Sequence, residues 1–154
     1  KTAALFAACT EAAAYSVGVS EEEVKLARLL GEYIGICFQI KDDIFDYFDS
    51  KEIGKPTGND MLEGKLTLPV LYALNRANDN QATEIALKVK EGTATLAEIA
   101  RLIAFTKENG GIEYAVRTMN AYKQKAFGLL ASLPDSAICV ALRSYLDYVV
   151  DREK

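Results

Sequence analysis

Apolar residues recur at intervals of three and four over most of the chain, which is the spacing expected of helices that bury one face. The pattern is longest between Glu21 and Asp49, where the apolar positions are Leu26, Leu29, Leu30, Tyr33, Ile34, Cys37, Ile40, Ile44 and Phe48. The alanine-rich segment Thr2–Val17 precedes it and stops at Gly18, which predicts a separate helix followed by a glycine. No pair of segments carries the signals of a β-hairpin. The pattern therefore predicts an all-α protein.

Glycine, proline and capping residues divide the rest of the chain. Gly31 and Gly35 lie inside the long helix, where isolated glycines permit close packing. The stretch DSKEIGKPTGNDMLEGK predicts a loop with at most one short helical turn, at Asp60–Glu63. Capping boxes at Ser20–Glu23 and Thr95–Glu98 predict where two helices begin. The remaining helices are predicted at Thr67–Ala77, Ala82–Glu91, Leu96–Glu108, Ile112–Ser132 and Ser136–Asp151.

Composition narrows the class of protein. A length of 154 residues fits one domain, or part of one, with a core of its own. The net charge of −4 argues against a nucleic-acid-binding protein, because such surfaces are normally basic. The chain contains no histidine, so imidazole catalysis and histidine metal sites are excluded. Its three cysteines lack metal-ligand spacing and are expected to be buried, reduced thiols. No apolar run is long enough to predict a transmembrane helix.

Candidate chemistry is concentrated in QIKDDIFDYFDS, Gln39–Ser50, which holds four aspartates. On the predicted helix Asp42 and Asp46 lie one turn apart, and Asp49 continues the line. Like charges at this spacing repel by about 0.2–0.5 kcal/mol per pair, whereas a divalent cation between them would reverse the sign. Carboxylates that leave positions open for water and phosphate suit Mg²⁺. Without metal, Asp42→Asn or Asp46→Asn is therefore expected to leave stability unchanged or to raise it slightly.

A solvated helix end is the usual explanation of an acidic run, and that interpretation stays open. Two features favour a metal–diphosphate site instead. Apolar and aromatic residues flank the aspartates, and the following loop supplies Lys55 and Lys65 among glycines. A bound diphosphate requires this combination, because Mg²⁺ screens its inner oxygens while lysines neutralise the outer ones.

The segment Asp42–Asp46, DDIFD, resembles the second aspartate-rich motif, D-D-x-x-D, of the trans-isoprenyl diphosphate synthases. Three further elements resemble that family in order and spacing, namely Lys1-Thr2, Phe38-Gln39 and the loop GKPTGNDMLEGKLTLPV, Gly54–Val70. D-D-x-x-D alone is a weak signal, but the four elements together are specific. The resemblance covers the whole chain and the C-terminal half of the family's pattern. The loop is most similar to that of bacterial medium- and long-chain members, such as octaprenyl diphosphate synthases.

The resemblance implies a fold and a reaction. The fold would be a helical bundle that forms the C-terminal part of an isoprenoid synthase fold, with residues 1–154 as a single domain. The reaction would be a Mg²⁺-dependent prenyl transfer, in which isopentenyl diphosphate is added head-to-tail to an allylic prenyl diphosphate. The allylic diphosphate would ionise, the double bond of isopentenyl diphosphate would attack the cation, and loss of a proton would restore an alkene. The family likeness also implies a cytoplasmic homodimer.

The resemblance also assigns roles residue by residue. The metal ligands would be Asp42, Asp43 and Asp46. The catalytic residues would be Lys1, Thr2 and Gln39, of which Thr2 and Gln39 would line the reacting centre. The substrate-binding residues would be Lys1, Thr2, Phe38, Gln39, Lys55 and Lys65.

The chain departs from the family pattern at its beginning. It starts at Lys1 rather than Met and holds no second D-D-x-x-D, so the first aspartate-rich motif and the helices that set product length are expected to lie outside it. Half of a diphosphate clamp lacks most of its metal ligands, and this chain alone is therefore expected to be inactive or nearly so. Three alternatives stay open: a non-catalytic synthase-like subunit, a terpene cyclase of the same helical class, and a helical interaction module whose acidic run is surface.

Overall fold

The computed structural model describes residues 1–48, 57–134 and 136–152, and every regular element within them is an α-helix. The helices are α1 (Thr2–Ser16), α2 (Glu21–Phe45), α3 (Asn59–Leu62), α4 (Leu68–Ala77), α5 (Asn80–Glu91), α6 (Leu96–Glu108), α7 (Gly111–Ala131) and α8 (Ala137–Asp151). The predictions of an all-α fold and of a short turn before α4 are confirmed. None of the described helices is both long and apolar enough to cross a bilayer.

The chain divides into two compact units, and the boundaries fall within α2 and within α7. The first unit is formed by Lys1–Lys41 and Thr118–Lys154, and the second by Asp42–Arg117. The first unit carries the paired residues Lys1-Thr2 and Phe38-Gln39, and the second carries the aspartate motif and the loop that follows it.

In the first unit α1 packs on α2 with backbone in direct contact. A side-chain carbon added to Gly31 would lie 2.5 Å from the carbonyl oxygen of Phe6, and one added to Gly35 would lie 2.6 Å from the Cα of Ala3. Carbon atoms do not approach so closely, so any larger residue at these two positions would force the helices apart. The two glycines lie one turn apart on the same face of α2, and α1 packs against that face.

The cysteines of the first unit are free thiols. Cys37 is fully buried, and its Sγ donates to the carbonyl oxygen of Met119 at 3.4 Å. Burial raises the pKa of Cys37 to about 11, so this thiol is inert as a nucleophile at neutral pH. Cys139 is buried as well, which confirms the prediction for two of the three. The prediction was wrong for Cys9, which is exposed because α1 buries Ala7 alone.

The second unit is held together by one apolar core between α3, α4, α5 and α6. Its buried members are Tyr47, Met61, Val70, Ala82, Ile85, Ala86, Val89, Ile99, Leu102 and Ile103. Tyr47 comes directly after the aspartate motif and is only 2% exposed, and burial raises the pKa of its phenol to about 12. The end of the motif is therefore anchored in the core rather than projecting into solvent.

The predicted capping box at the start of α6 is present. The Thr95 hydroxyl accepts from the Glu98 amide at 3.3 Å, and Glu98 Oε2 accepts from the Thr95 amide at 2.8 Å. Lys88 of α5 donates to Glu98 Oε1 at 2.7 Å, which joins the two helices. These contacts, that of Lys88 first, lower the pKa of Glu98 to about 2.

We expect the stabilising effect of Glu98 to disappear in acid. Its pKa is about 2 in the folded protein against 4.5 ordinarily, so its contribution is complete above pH 4.5 and is lost as the pH falls to about 2. Glu98→Gln should therefore lower the unfolding midpoint at pH 7 by more than it does at pH 2. The matched control is Glu84→Gln, since Glu84 meets the same lysine at 3.5 Å but is more exposed. A gap between Glu98→Gln and the parent chain that stays constant with pH would contradict this account.

Candidate active site

The aspartate motif begins on the last turn of α2 and continues beyond its end. Sequence reasoning extended this helix to Asp49, but the structure ends it at Phe45, so Asp46 is the first residue after the helix. The chain tightens there, because the amides of Tyr47 and Phe48 bond at 3.1 Å to carbonyl oxygens three residues back. Asp49 lies outside the described residues.

Asp46 binds the start of α3. Its Oδ1 accepts from the amide of Asn59 at 2.9 Å and its Oδ2 from the amide of Asp60 at 3.1 Å. Its carbonyl oxygen accepts from the amide of Gly58 at 2.9 Å. Burial raises the pKa of Asp46, the charges of Asp60 and Glu63 add to the rise, and the two backbone hydrogen bonds oppose it. Repulsion between aspartates is thus only part of the energetics here, because this carboxylate also satisfies two backbone donors.

Asp42 and Asp43 remain on the helix proper. Asp42 is half-buried and Asp43 is buried, so both carboxylates stand at the edge of packed structure. Within residues 1–48, 57–134 and 136–152, no three acidic or cysteine side chains are grouped so that they could hold a metal ion by themselves. Mg²⁺ does not need such a cage, because it is commonly bound by one or two carboxylates together with waters and substrate phosphates. The donor set therefore fits Mg²⁺ that arrives with a diphosphate.

Thr2 and Gln39 are brought together by the packing of α1 on α2. The Oγ1 of Thr2 donates to Oε1 of Gln39 at 2.8 Å, although 37 positions separate them in sequence. The bond fixes which end of the amide faces Thr2, with Oε1 of Gln39 as the acceptor. The two residues that the resemblance placed beside the reacting centre are thus neighbours in the structure.

Phe38 lies between an aromatic ring and a cation. Its ring centroid is 5.8 Å from that of Phe6, and the guanidinium carbon of Arg152 stands 4.2 Å from the same centroid. Arg152 Nη2 also donates to the carbonyl oxygen of Phe38 at 3.4 Å. Sequence reasoning assigned no role to this arginine. The contact spans 114 positions and leaves no local signal, so only the fold reveals it.

Two of the three candidate lysines, Lys1 and Lys65, lie within the described residues. Lys1 is exposed and precedes α1, where its carbonyl oxygen accepts from the amide of Leu5 at 3.1 Å. Lys65 is exposed as well, and its Nζ lies 2.6 Å from Glu63 Oε2 and 3.6 Å from Asp60 Oδ1. The contact with Glu63 raises the pKa of Lys65, but an ion pair so exposed contributes little stability and can exchange for a phosphate. Lys55 lies outside the described residues.

Comparison with known proteins gives a consistent result. Residues 1–106 match the polyprenyl synthetase family. An octaprenyl diphosphate synthase from Haemophilus influenzae is 36% identical over 153 residues, which are 99% of this chain and 46% of that protein. The chain spans about half the length of the curated relatives it matches.

Two solved structures extend the comparison to the fold. A geranylgeranyl pyrophosphate synthase from Bacteroides thetaiotaomicron superposes with a TM-score of 0.95 at 78% identity, over 99% of this chain and 50% of that one. A polyprenyl synthase from Caulobacter crescentus was solved with calcium and isoprenyl diphosphate. It superposes with a TM-score of 0.83 at 32% identity, over 97% of this chain and 46% of that one.

Proposed function

The chain belongs to the polyprenyl synthetase family, and on that premise we propose that it is the C-terminal half of a prenyl diphosphate synthase. The proposed reaction is head-to-tail addition of isopentenyl diphosphate to an allylic prenyl diphosphate. The observation that carries the proposal is the 2.8 Å hydrogen bond from Thr2 to Gln39. It joins the start of α1 to Gln39 of α2, and so brings together two of the residue pairs on which the resemblance rests.

The proposed substrate contacts follow from charge. Asp42 and Asp43 would bind Mg²⁺ together with the allylic diphosphate, and Lys1 and Lys55 would neutralise its outer oxygens. Bound Mg²⁺ would stabilise the negative charge that develops on the departing diphosphate. Lys65 would contribute after exchanging Glu63 for a phosphate oxygen. Phe38 would contribute apolar surface beside the hydrocarbon of the substrate.

The bond changes balance without any further reactant. The bond between the allylic carbon and the diphosphate oxygen breaks, and its electron pair leaves with the diphosphate. The double bond of isopentenyl diphosphate supplies the electrons of the new carbon–carbon bond, and a proton is then lost to restore an alkene. The paired Thr2 and Gln39 would line the reacting centre, beside the diphosphate oxygen that accepts this proton.

We also propose the identity of the metal, the oligomeric state and the cellular location of the protein. The calcium and isoprenyl diphosphate in the Caulobacter crescentus relative support a divalent cation for this chain. Carboxylates combined with phosphate and water favour Mg²⁺ among such cations. The cytoplasmic homodimer is proposed from the family likeness alone.

The direct test joins this chain to the half of the Bacteroides thetaiotaomicron synthase that it does not cover, which gives what we call the completed protein. With farnesyl diphosphate, isopentenyl diphosphate and Mg²⁺, we expect the completed protein to lengthen the prenyl chain and release diphosphate. Chelation of the metal should stop the reaction. The added half by itself is the control. A folded completed protein that binds no diphosphate would favour the interaction module, and turnover by this chain alone would contradict its expected inactivity.

A further inference from the structure

Three consecutive backbone amides converge on one residue of the aspartate motif. The amides of Gly58, Asn59 and Asp60 donate to the carbonyl oxygen, Oδ1 and Oδ2 of Asp46 at 2.9, 2.9 and 3.1 Å. Each carboxylate oxygen therefore already accepts one backbone hydrogen bond. These are amides at the start of a helix, which have no carbonyl partner within it.

The start of α3, whose amides bind Asp46, packs against the core of the second unit. Gly58 has a φ of +81° and is buried, and a side-chain carbon placed on it would lie 2.8 Å from Ile99 and 3.0 Å from Ile103. Met61 of α3 is 4% exposed and belongs to the same core. Packing against the core thus fixes the start of α3, and the hydrogen bonds of Asp46 connect the end of α2 to it.

These hydrogen bonds leave Asp46 fewer lone pairs for a cation, because each of its carboxylate oxygens already has one backbone partner. The geometry therefore gives the carboxylate of Asp46 a structural role at the start of α3.

We propose that Asp46 is a positioning residue rather than a metal ligand, and that it fixes the end of α2 on which Asp42 and Asp43 stand. The inference rests on the proposed function, because it assigns different roles to aspartates of a motif that is itself proposed to bind Mg²⁺ and diphosphate. It assigns to the third aspartate of D-D-x-x-D a role that depends on its two acceptor oxygens. Asparagine has one acceptor oxygen and one NH₂ group, so it can keep only one of the two side-chain hydrogen bonds and sets a donor against the other amide.

The test compares four variants in three measurements: the unfolding midpoint without divalent metal, kcat, and the Mg²⁺ concentration for half-maximal activity. Midpoints are measured on this chain and on the completed protein, and kinetics on the completed protein. Asp46→Ala should lower the midpoint by about 2–6 °C and kcat by about 10–100-fold. Asp46→Asn keeps one of the two side-chain hydrogen bonds, so it should fall between the parent and Asp46→Ala in midpoint and kcat, with a Mg²⁺ requirement within about threefold of the parent. Asp42→Asn should raise the Mg²⁺ requirement at least about tenfold.

Asp79→Ala is the matched control, because Asp79 caps α5 by accepting from the amide of Ala82 at 2.8 Å. It loses the same kind of bond away from the motif, so its midpoint should fall while kcat and the Mg²⁺ requirement stay unchanged. Asp46→Asn behaving like Asp42→Asn would overturn the proposal, as would Asp46→Ala with an unchanged midpoint or an unchanged kcat. Failure of the parent completed protein to form product would instead reject the proposed function, and the metal-free midpoints would still decide whether Asp46 secures α3.

Discussion

Asp42→Ala in the completed protein is expected to reduce kcat by about 100–1,000-fold, the loss typical when one preorganised stabiliser of a developing anion is removed. Asp42 stands half-buried on the last turn of α2, where its carboxylate is one of the two proposed protein ligands of the cation. Removing it halves the share of that coordination shell that this chain is proposed to supply. The cation that should neutralise the departing diphosphate then binds more weakly and in a less defined position.

Two measurements separate this loss from a general effect on folding. Calorimetric titration with farnesyl diphosphate should show binding that depends on Mg²⁺ in the parent and is absent in Asp42→Ala. Asp151→Asn removes an exposed carboxylate 3.8 Å from Lys123 and serves as the control, with kinetics and binding unchanged. Retention of Mg²⁺-dependent binding in Asp42→Ala would contradict the assignment of Asp42 as a ligand of the cation.

Local chemistry explains why some boundaries could be predicted to the residue. The predicted range of α6, Leu96–Glu108, agrees with the structure at both ends. Its start is fixed by the capping box of Thr95 and Glu98, whose partners are three positions apart. Its end is followed by Gly110, whose φ of +73° favours glycine. Every group involved lies within a few positions of the boundary, so sequence alone contains the information.

The end of α2 could not be predicted in this way. Periodicity carried the helix to Asp49, since Phe48 fits the apolar face as well as Ile44 does. The structure instead gives the carbonyl and carboxylate of Asp46 to the amides that begin α3, the nearest of them twelve positions on at Gly58. The helix ends because a tertiary contact replaces its continuation. The stacking of Arg152 on Phe38 also joins residues that are distant in sequence. Such contacts depend on where distant segments fold, which local patterns do not encode.

The candidate site contains both features that the sequence predicted and features that it did not. The family resemblance placed Thr2 and Gln39 beside the proposed reacting centre, and the structure joins the two side chains at 2.8 Å. The resemblance treated the aspartates of the motif as one set, because a pattern records which residues recur but not which atoms they contact. The hydrogen bonds of Asp46 supply that distinction. The proximity of Thr2 to Gln39 agrees with the resemblance, whereas the contacts of Asp46 required coordinates.

Gly31→Ala is expected to destabilise the chain by about 2 kcal/mol or more, which is large for the addition of one methyl group. The added carbon would collide with the Thr10 hydroxyl and lie 2.5 Å from the carbonyl oxygen of Phe6, so neither a rotamer change nor a small side-chain movement relieves it. The backbone of α1 must move away from α2. In an open helix the same substitution would stabilise, because alanine is favoured over glycine by about 0.8–1.0 kcal/mol.

Gly128→Ala provides that comparison within the same unit. Gly128 lies inside α7 with no neighbouring atom within 4 Å of an added carbon, so alanine there should raise the free energy of unfolding by about 0.5–1 kcal/mol. Chemical denaturation of the parent and the two variants, followed by helical circular dichroism, measures both signs. In the completed protein Gly31→Ala should also lower kcat, because α1 carries Thr2 and a displacement of about 1 Å at a reacting centre costs on the order of 100-fold in rate. Equal effects at the two glycines would mean that α1 does not need close contact with α2, and the placement of Thr2 against Gln39 would then lose its physical basis.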